Sequence, residues 1–266
     1  MKKIFRYMRL YRVMITQFFK TMMQSKVDFL MGLFGFFFTQ LSGIVFLYLV
    51  FEQIPDLQGW SLDQLIFIYG FAQIPRGIDH LLTDNLWLVA WRLVINGDFD
   101  RYMLRPMNIL FQVIAEKLQP DAIGELLVGS ILVVRSISCG VVSVTPVNIL
   151  LFIVSIVAGS LIYTAIKILF SALAFWMQRS GPVLQLAYEM ANFAKYPTQI
   201  YAKGIQFIIT WVIPFAFVAY LPASYFLNSG NGIWVIAMEC VIAAVFMLLG
   251  TWVFRKGTKI YESVGN

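Results

Sequence analysis

Residues 29–51 read FLMGLFGFFFTQLSGIVFLYLVF, a run without a single charged side chain. An α-helix needs about 20 apolar residues to cross the hydrocarbon core of a bilayer, so this run is long enough to span a membrane. The whole chain has the same character, since 60% of its 266 residues are hydrophobic and 13% are charged. Soluble domains average about 45–50% apolar and about 25% charged residues. The composition therefore indicates an integral membrane protein and excludes a soluble globular enzyme.

Apolar segments continue from end to end, which favours one all-α membrane domain over residues 1–266. A further apolar stretch, residues 205–227, is interrupted by Pro214 and Pro222. Counted as a full crossing, it would give seven spans and would place the two termini on opposite sides. The other predicted spans are Phe29–Phe51, Ser61–Leu82, Ala122–Val142, Val147–Gln178, Val183–Tyr196 and Ile233–Phe254.

The distribution of Lys and Arg decides between six and seven spans, because cytoplasmic segments carry an excess of these residues. The N-terminal segment is basic, and so is the tail at Arg255, Lys256 and Lys259, whereas residues 52–60 contain no Lys or Arg. Both termini are therefore predicted to be cytoplasmic, which requires an even number of crossings. Six transmembrane helices satisfy this pattern if residues 205–227 form a re-entrant outer hairpin.

The N-terminal segment, residues 1–28, is predicted to form an amphipathic interfacial helix on the membrane surface. Its apolar side chains recur every three to four residues, as expected for one face of a helix. Its basic side chains fall largely on another face, which suits an anionic cytoplasmic leaflet. The apolar residues are Phe5, Met8, Ile15, Phe18 and Met22.

Sequence motifs for catalysis are missing. There is no G-x-x-x-x-G-K-[ST] nucleotide-binding loop, and no H-E-x-x-H or G-x-S-x-G motif. Cys139 and Cys240 lack metal-type spacing, and His80 is the single histidine. We therefore expect no catalytic residue, no metal site and no cofactor in this chain. The net charge is +6. Its basic residues are distributed as the predicted topology requires, so the charge does not indicate nucleic-acid binding.

Polar residues form a stripe on the second predicted span: Gln73, Arg76, His80 and Asp84 share one helical face. Helical spacing also allows pairs between Arg76 and Asp79 or between His80 and Asp84. Charges inside a membrane are costly and usually face a partner or a wet cavity. The stripe is interpreted either as part of a transport path or as the wetted cytoplasmic end of the helix.

Three other charges lie alone in apolar segments: Lys167, Glu189 and Glu239. Lys167 could pair with one of the glutamates across helices, or its long stem could let it reach the interface. Structural roles are favoured for all three. Arg76, His80 and Glu189 are nevertheless the candidates for a transport path.

Residues 86–106 are the most informative polar stretch on the predicted cytoplasmic side. An apolar piece too short to span is followed by GDFDRYMLRP at residues 97–106. This run mixes both charge signs with aromatic residues and is punctuated by glycine and proline. It is interpreted as a small docking element on the membrane surface, with a solvated loop as the alternative.

The sequence resembles the ABC-2 type transporter permeases, bacterial exporter membrane subunits. The GDFD-x-x-x-LRP run at residues 97–106 resembles their cytoplasmic signature. Weaker matches along nearly the whole chain are Tyr7-Met8-Arg9-Leu10-Tyr11, Gly59-Trp60-Ser61, Ala174-Phe175-Trp176, Tyr196-Pro197, Tyr201, Pro214 and Pro222.

The resemblance implies six spans, cytoplasmic termini and a dimer of permeases, identical or related, above two ABC ATPase subunits. ATP and Mg would then bind in the partner ATPase, and ATP-driven closure would push on residues 86–106. The predicted coupling contact comprises Gly97, Asp98, Asp100, Arg101, Arg105 and Pro106.

The leading functional prediction is thus an exporter subunit in a bacterial cytoplasmic membrane, moving an amphiphilic small molecule, peptide or lipid-like substrate. The main alternative is an ion- or proton-coupled secondary transporter using Lys167, Glu189 and Glu239. That class usually shows internal inverted repeats, which the sequence does not display. An intramembrane lipid-modifying enzyme is disfavoured by the missing carboxylate and metal motifs.

Overall fold

The computed structural model describes residues 12, 13, 16, 20, 26–227 and 232–263. In these ranges the chain is helical and has no β-strand. The predicted interfacial helix, residues 1–28, lies almost wholly outside them and stays a prediction. Short 3₁₀ and π turns join several helices. In chain order the α-helices are α1 (Lys26–Gln53), α2 (Leu62–Thr83), α3 (Leu86–Leu88), α4 (Asp100–Met103), α5 (Ile109–Glu116), α6 (Ile123–Ser138), α7 (Pro146–Ala172), α8 (Ala174–Met177), α9 (Gly181–Glu189), α10 (Lys203–Phe207), α11 (Tyr220–Phe226) and α12 (Trp234–Ile260).

Each predicted span corresponds to helical structure, but not every helix qualifies as a membrane crossing by length and composition. Among the described residues, three helical stretches qualify: 30–53, 146–177 and 234–260. Helix α2 carries charges in its interior, and α6 has only 16 residues. An all-α membrane protein is therefore confirmed, whereas the count of six crossings stays a prediction.

The predicted hairpin is a bent helical pair. Residues 203–212 and 215–226 meet at an angle of 73°, the geometry of either a broken span or a re-entrant loop. Pro214 lies at the bend, where its ring removes a backbone donor and interrupts the helix. The π turn at Ile208–Val212 precedes it.

Helix boundaries follow from local capping. Ser61 and Gln64 form a reciprocal capping box at the start of α2, in which each side chain accepts from the other's backbone N–H. Thr145 caps α7 by accepting from the backbone N–H of Asn148 at 3.1 Å, with Pro146 as the first helical residue.

Small residues let the helices approach closely, as is common in membrane proteins. Gly70 of α2 faces Gly129 of α6, and a Cβ added at Gly129 would lie 2.9 Å from the Gly70 carbonyl oxygen. A Cβ at Gly250 of α12 would likewise lie 2.9 Å from the Ala165 carbonyl oxygen of α7. These positions fix the α2–α6 and α7–α12 pairs.

Three apolar clusters fill the interior. One holds Trp60, Val142 and Phe226 at one end of the bundle, and a second lies in its middle. The third joins Phe99 to Ile168 of α7, Phe254 of α12 and other residues near the C-terminal ends of those helices. Residues 86–106 therefore lie at the same end of the bundle as the end of α12.

Candidate functional site: a polar cavity and a surface element

The polar face of α2 meets a carboxylate from another helix. Glu125, in the first turn of α6 and 1% exposed, lies 3.7 Å from the Arg76 Nε and 3.1 Å from the His80 Nδ1. Gln40 of α1 donates its Nε2 hydrogen to Glu125 Oε1 at 3.2 Å. Three helices thus contribute to one buried polar contact.

A second buried cluster lies around Lys167 of α7. Its amino group is 2.8 Å from Asp79 Oδ2 and 3.0 Å from Asp84 Oδ1. Thr164 donates to Asp79 at 2.8 Å, and the Tyr188 hydroxyl also donates to Asp79. The two acceptors on α2 are therefore held by α7 and α9.

These contacts correct the predicted pairings. Arg76 pairs with Glu125 instead of Asp79, and His80 with Glu125 instead of Asp84. Lys167 pairs with the two aspartates and not with a glutamate. Successive helical residues point about 100° apart, so Asp79 and His80 face different helices. The buried charges find partners across helix interfaces, not along α2.

The two glutamates considered with Lys167 lie elsewhere. Glu239 is fully buried and accepts a hydrogen bond from Ser155 at 2.5 Å. Glu189 is exposed and accepts from Gln185 and from Asn192, both at 2.7 Å. Each therefore has a polar partner within its own part of the bundle.

The predicted path residues line two cavities between α1, α2, α6 and α9. The larger has a volume of about 650 Å³, and its wall includes Arg76, Glu125 and Glu189. The smaller has a volume of about 250 Å³ and is lined by Arg76, His80 and Glu189 among others. Arg76, His80 and Glu189 are thus brought together, although they come from two helices far apart in sequence.

Residues 86–106 are anchored by Phe99, which is fully buried. Its ring lies edge-on to Phe175 at a centroid distance of 4.9 Å and to Tyr261 at 5.2 Å. Gly97 has a φ of +75°, a left-handed conformation that favours glycine and turns the chain into the anchor. The short helix α4 follows and presents its outer face to the surroundings.

A polar contact fixes α4 against α5. Arg101 lies 3.0 Å from Glu116, and the Tyr102 hydroxyl donates to the same carboxylate. Burial and the hydrogen bond to Glu116 raise the pKa of Tyr102 to about 12. Burial and the neighbouring Asp100 likewise raise the pKa of Tyr261 to about 12. Both tyrosines are therefore neutral at physiological pH, and Tyr102 donates to Glu116.

The predicted coupling residues differ in exposure. Asp98, Arg101, Arg105 and Pro106 are exposed, whereas Gly97 and Asp100 are half-buried. Asp100 accepts a hydrogen bond from Ser263, close to the end of the described chain. The most exposed apolar side chain of this surface is Leu104, at 84%. The element therefore has an apolar tip flanked by charges.

Sequence reasoning did not single out Glu125, Gln40 or Lys195, which all line the larger cavity. The sequence does mark Glu125 as unusual, because it is a lone acidic residue in the first turn of an apolar span. Lys195 lies at the end of the predicted fifth span, where a basic residue looks like an interfacial anchor. Only the cross-helix geometry reveals that these residues share a cavity.

No group of His, Cys, Asp and Glu side chains able to hold a metal ion occurs in the described part of the chain. The fold defines a multi-pass helical membrane protein. The chain belongs to the ABC-2 transporter family: the family model described as "ABC-2 family transporter protein" matches residues 37–265. It is thus a membrane permease of an ABC transporter, a type of subunit that associates with ABC ATPases. No curated protein and no solved structure matches the sequence.

Proposed function

We propose that this chain is the permease subunit of an ATP-driven exporter in a bacterial cytoplasmic membrane. It pairs with a second permease, identical or related, and two ATPase subunits bind below and hydrolyse MgATP. Six spans and cytoplasmic termini complete the proposal, in agreement with the positive ends of the chain. The substrate is an amphiphilic small molecule, peptide or lipid-like molecule.

The observation that carries the proposal is the direct continuity between cavity and surface element along α2. Arg76 and His80 contact the cavities, and α2 ends at Thr83, only two residues before α3 starts the 86–106 element. Asp84, at the junction, is held by Lys167 of α7. A push on the surface element would therefore be transmitted to the cavity wall through α2 and α7.

Charge reversal on the surface element tests the coupling. The double variant Asp98→Lys/Asp100→Lys should insert and fold normally, because both side chains lie outside the buried cores. We expect ATP hydrolysis by the assembled complex to continue while ATP-dependent export is lost. The measurement compares both rates in proteoliposomes that contain the permease and its ATPase.

The matched control is Glu52→Lys, which reverses an exposed charge in the last turn of α1, outside residues 86–106. It should leave both rates unchanged. Normal export by the Asp98→Lys/Asp100→Lys variant would refute the assignment of residues 86–106 as the coupling element.

An ion- or proton-coupled transporter is the second candidate, favoured by the buried Lys167, Asp79 and Asp84 cluster. Ionisable residues inside a membrane often mark proton or ion pathways. This candidate predicts transport by the permease alone, driven by a pH gradient in proteoliposomes without ATPase or ATP. The exporter proposal predicts no transport in that experiment.

A further inference from the structure

The larger cavity has four charged side chains in its wall, and their partners differ. Glu125 is already engaged by Arg76, His80 and Gln40. Glu189, on the opposite wall, accepts hydrogen bonds from its own helical neighbours. Both carboxylates therefore already contact other side chains of the protein.

Lys195 is different. Its amino group lies 5.3 Å from the centroid of the Tyr69 ring, a cation–π contact. Within the described ranges, no carboxylate lies within 4.0 Å of this amino group. A cation in a partly desolvated site is costly unless it is paired. The cavity thus contains an amino group that no carboxylate of the described residues contacts directly.

Arg76 is the second basic group of the same cavity. Its Nε is buried and makes no hydrogen bond, and its Nη1 reaches Asn192 only at 3.3 Å. The guanidinium therefore keeps donor capacity for a further acceptor. Two basic groups with unused donor capacity therefore face the cavity, one from α2 and one from the segment after α9.

The wall formed by α1 is uncharged, and its cavity-lining residues are glycines and Phe36 together with Thr39, Gln40 and Ser42. Between Gly32 and Gly43 it carries no charged side chain, and this stretch is about 16 Å long at the rise of an α-helix. A Cβ added at Gly35 would meet nothing within 4 Å, so there is open space beside the ring of Phe36. An alkyl tail could lie in the open space beside Gly35 and Phe36.

We propose that the larger cavity binds an amphiphile with an anionic headgroup, a phosphate or carboxylate that pairs with Lys195 and Arg76 while its tail lies along α1. The ligand is thereby assigned as the substrate class of the transporter. Its role as a substrate rests on the proposed function, whereas its binding to the cavity does not.

Equilibrium binding to the purified chain in phosphatidylcholine nanodiscs tests the proposal. The probes are dodecyl phosphate and dodecyltrimethylammonium, each carrying the same fluorophore at the end of the tail. The variants are Lys195→Met, which removes the charge, and Lys195→Arg, which keeps it. Lys203→Met is the matched control, because Lys203 is exposed and does not line the cavity.

The phosphate probe should bind the unmodified protein about tenfold more tightly than the ammonium probe, as expected for one charged hydrogen-bonding contact. Lys195→Met should abolish this preference, whereas Lys195→Arg and Lys203→Met should retain it. Equal affinity of the phosphate probe for the unmodified protein and Lys195→Met would overturn the proposal. The proposal would also be overturned if the unmodified protein bound the ammonium probe more tightly than the phosphate probe.

Inorganic phosphate distinguishes an amphiphile from a free anion. If it displaces the phosphate probe at concentrations near the probe's own Kd, the site binds small anions and the amphiphile assignment is wrong. Because binding needs no ATPase, the proposed function is tested separately. Retained probe binding without ATP-driven transport would refute the exporter, whereas ATP-driven transport without probe binding would refute only this inference.

Discussion

The Lys167 amino group lies 2.8 Å from the Asp79 carboxylate, and neither side chain is exposed to solvent. The contact joins the last two turns of α7 to the last turns of α2. Tyr188 of α9 donates to the same aspartate, so three helices meet at one ion pair. The cluster fixes the relative position of the elements between the cavities and the surface element.

Replacing Lys167 by Met should strongly destabilise the protein, because it leaves Asp79 as an uncompensated buried charge. The loss should be about 3–5 kcal/mol, the usual cost of breaking a buried ion pair. Thermal unfolding of the purified protein in detergent measures it. The double variant Lys167→Met/Asp79→Asn should recover part of the loss, and the exposed Lys259→Met should show none. An unchanged melting temperature for Lys167→Met would contradict the buried pair.

Phe99→Ala should detach the surface element from the bundle. The ring is fully buried against Phe175, Phe254 and Tyr261, and such truncations cost about 3–5 kcal/mol. We expect faster proteolysis within residues 86–106 and a lower melting temperature. Leu104→Ala, on the same element but exposed, should change stability by no more than about 0.5 kcal/mol. Equal stability of the two variants would show that Phe99 is not the anchor.

Leu104→Asp should weaken binding of the ATPase without unfolding the permease. The side chain is 84% exposed, so a charge there costs the permease little stability but would disrupt an apolar contact with the proposed partner. The amount of ATPase that co-purifies with the permease is the measurement. Leu104→Met, which keeps an apolar side chain of similar size, serves as the control. Full co-purification with Leu104→Asp would place the interface elsewhere.

Two glycines of α1 should respond in opposite ways. Gly35→Leu should fill the cavity and slow transport while leaving stability intact, because a Cβ there meets nothing within 4 Å. Gly43→Ala should destabilise the fold by about 1–3 kcal/mol through overpacking, since its Cβ would clash with the Tyr69 hydroxyl. That hydroxyl is hydrogen-bonded to the Gln40 backbone and side chain. Melting temperature and transport rate separate the two effects, and normal transport by Gly35→Leu would argue against the cavity as the path.

The amino-acid sequence by itself determined that the chain is an all-α protein of the membrane. A run such as residues 29–51 is too apolar and too long for anything but a membrane helix. Helical structure covers every predicted span, and the bend at Pro214 coincides with the predicted break. The GDFD-x-x-x-LRP run identified the family through a local pattern that needs no knowledge of packing.

Only the tertiary structure decided which charges meet. Helical spacing predicted a partner for Arg76 on its own helix, but the observed partner is Glu125 on α6. Lys167 forms ion pairs with two aspartates more than 80 residues away in sequence. The physical reason is that inside a membrane a charge is stabilised by whichever opposite charge lies across the helix interface. That choice depends on helix rotation and close approach at positions such as Gly70 and Gly129, which a linear pattern does not contain.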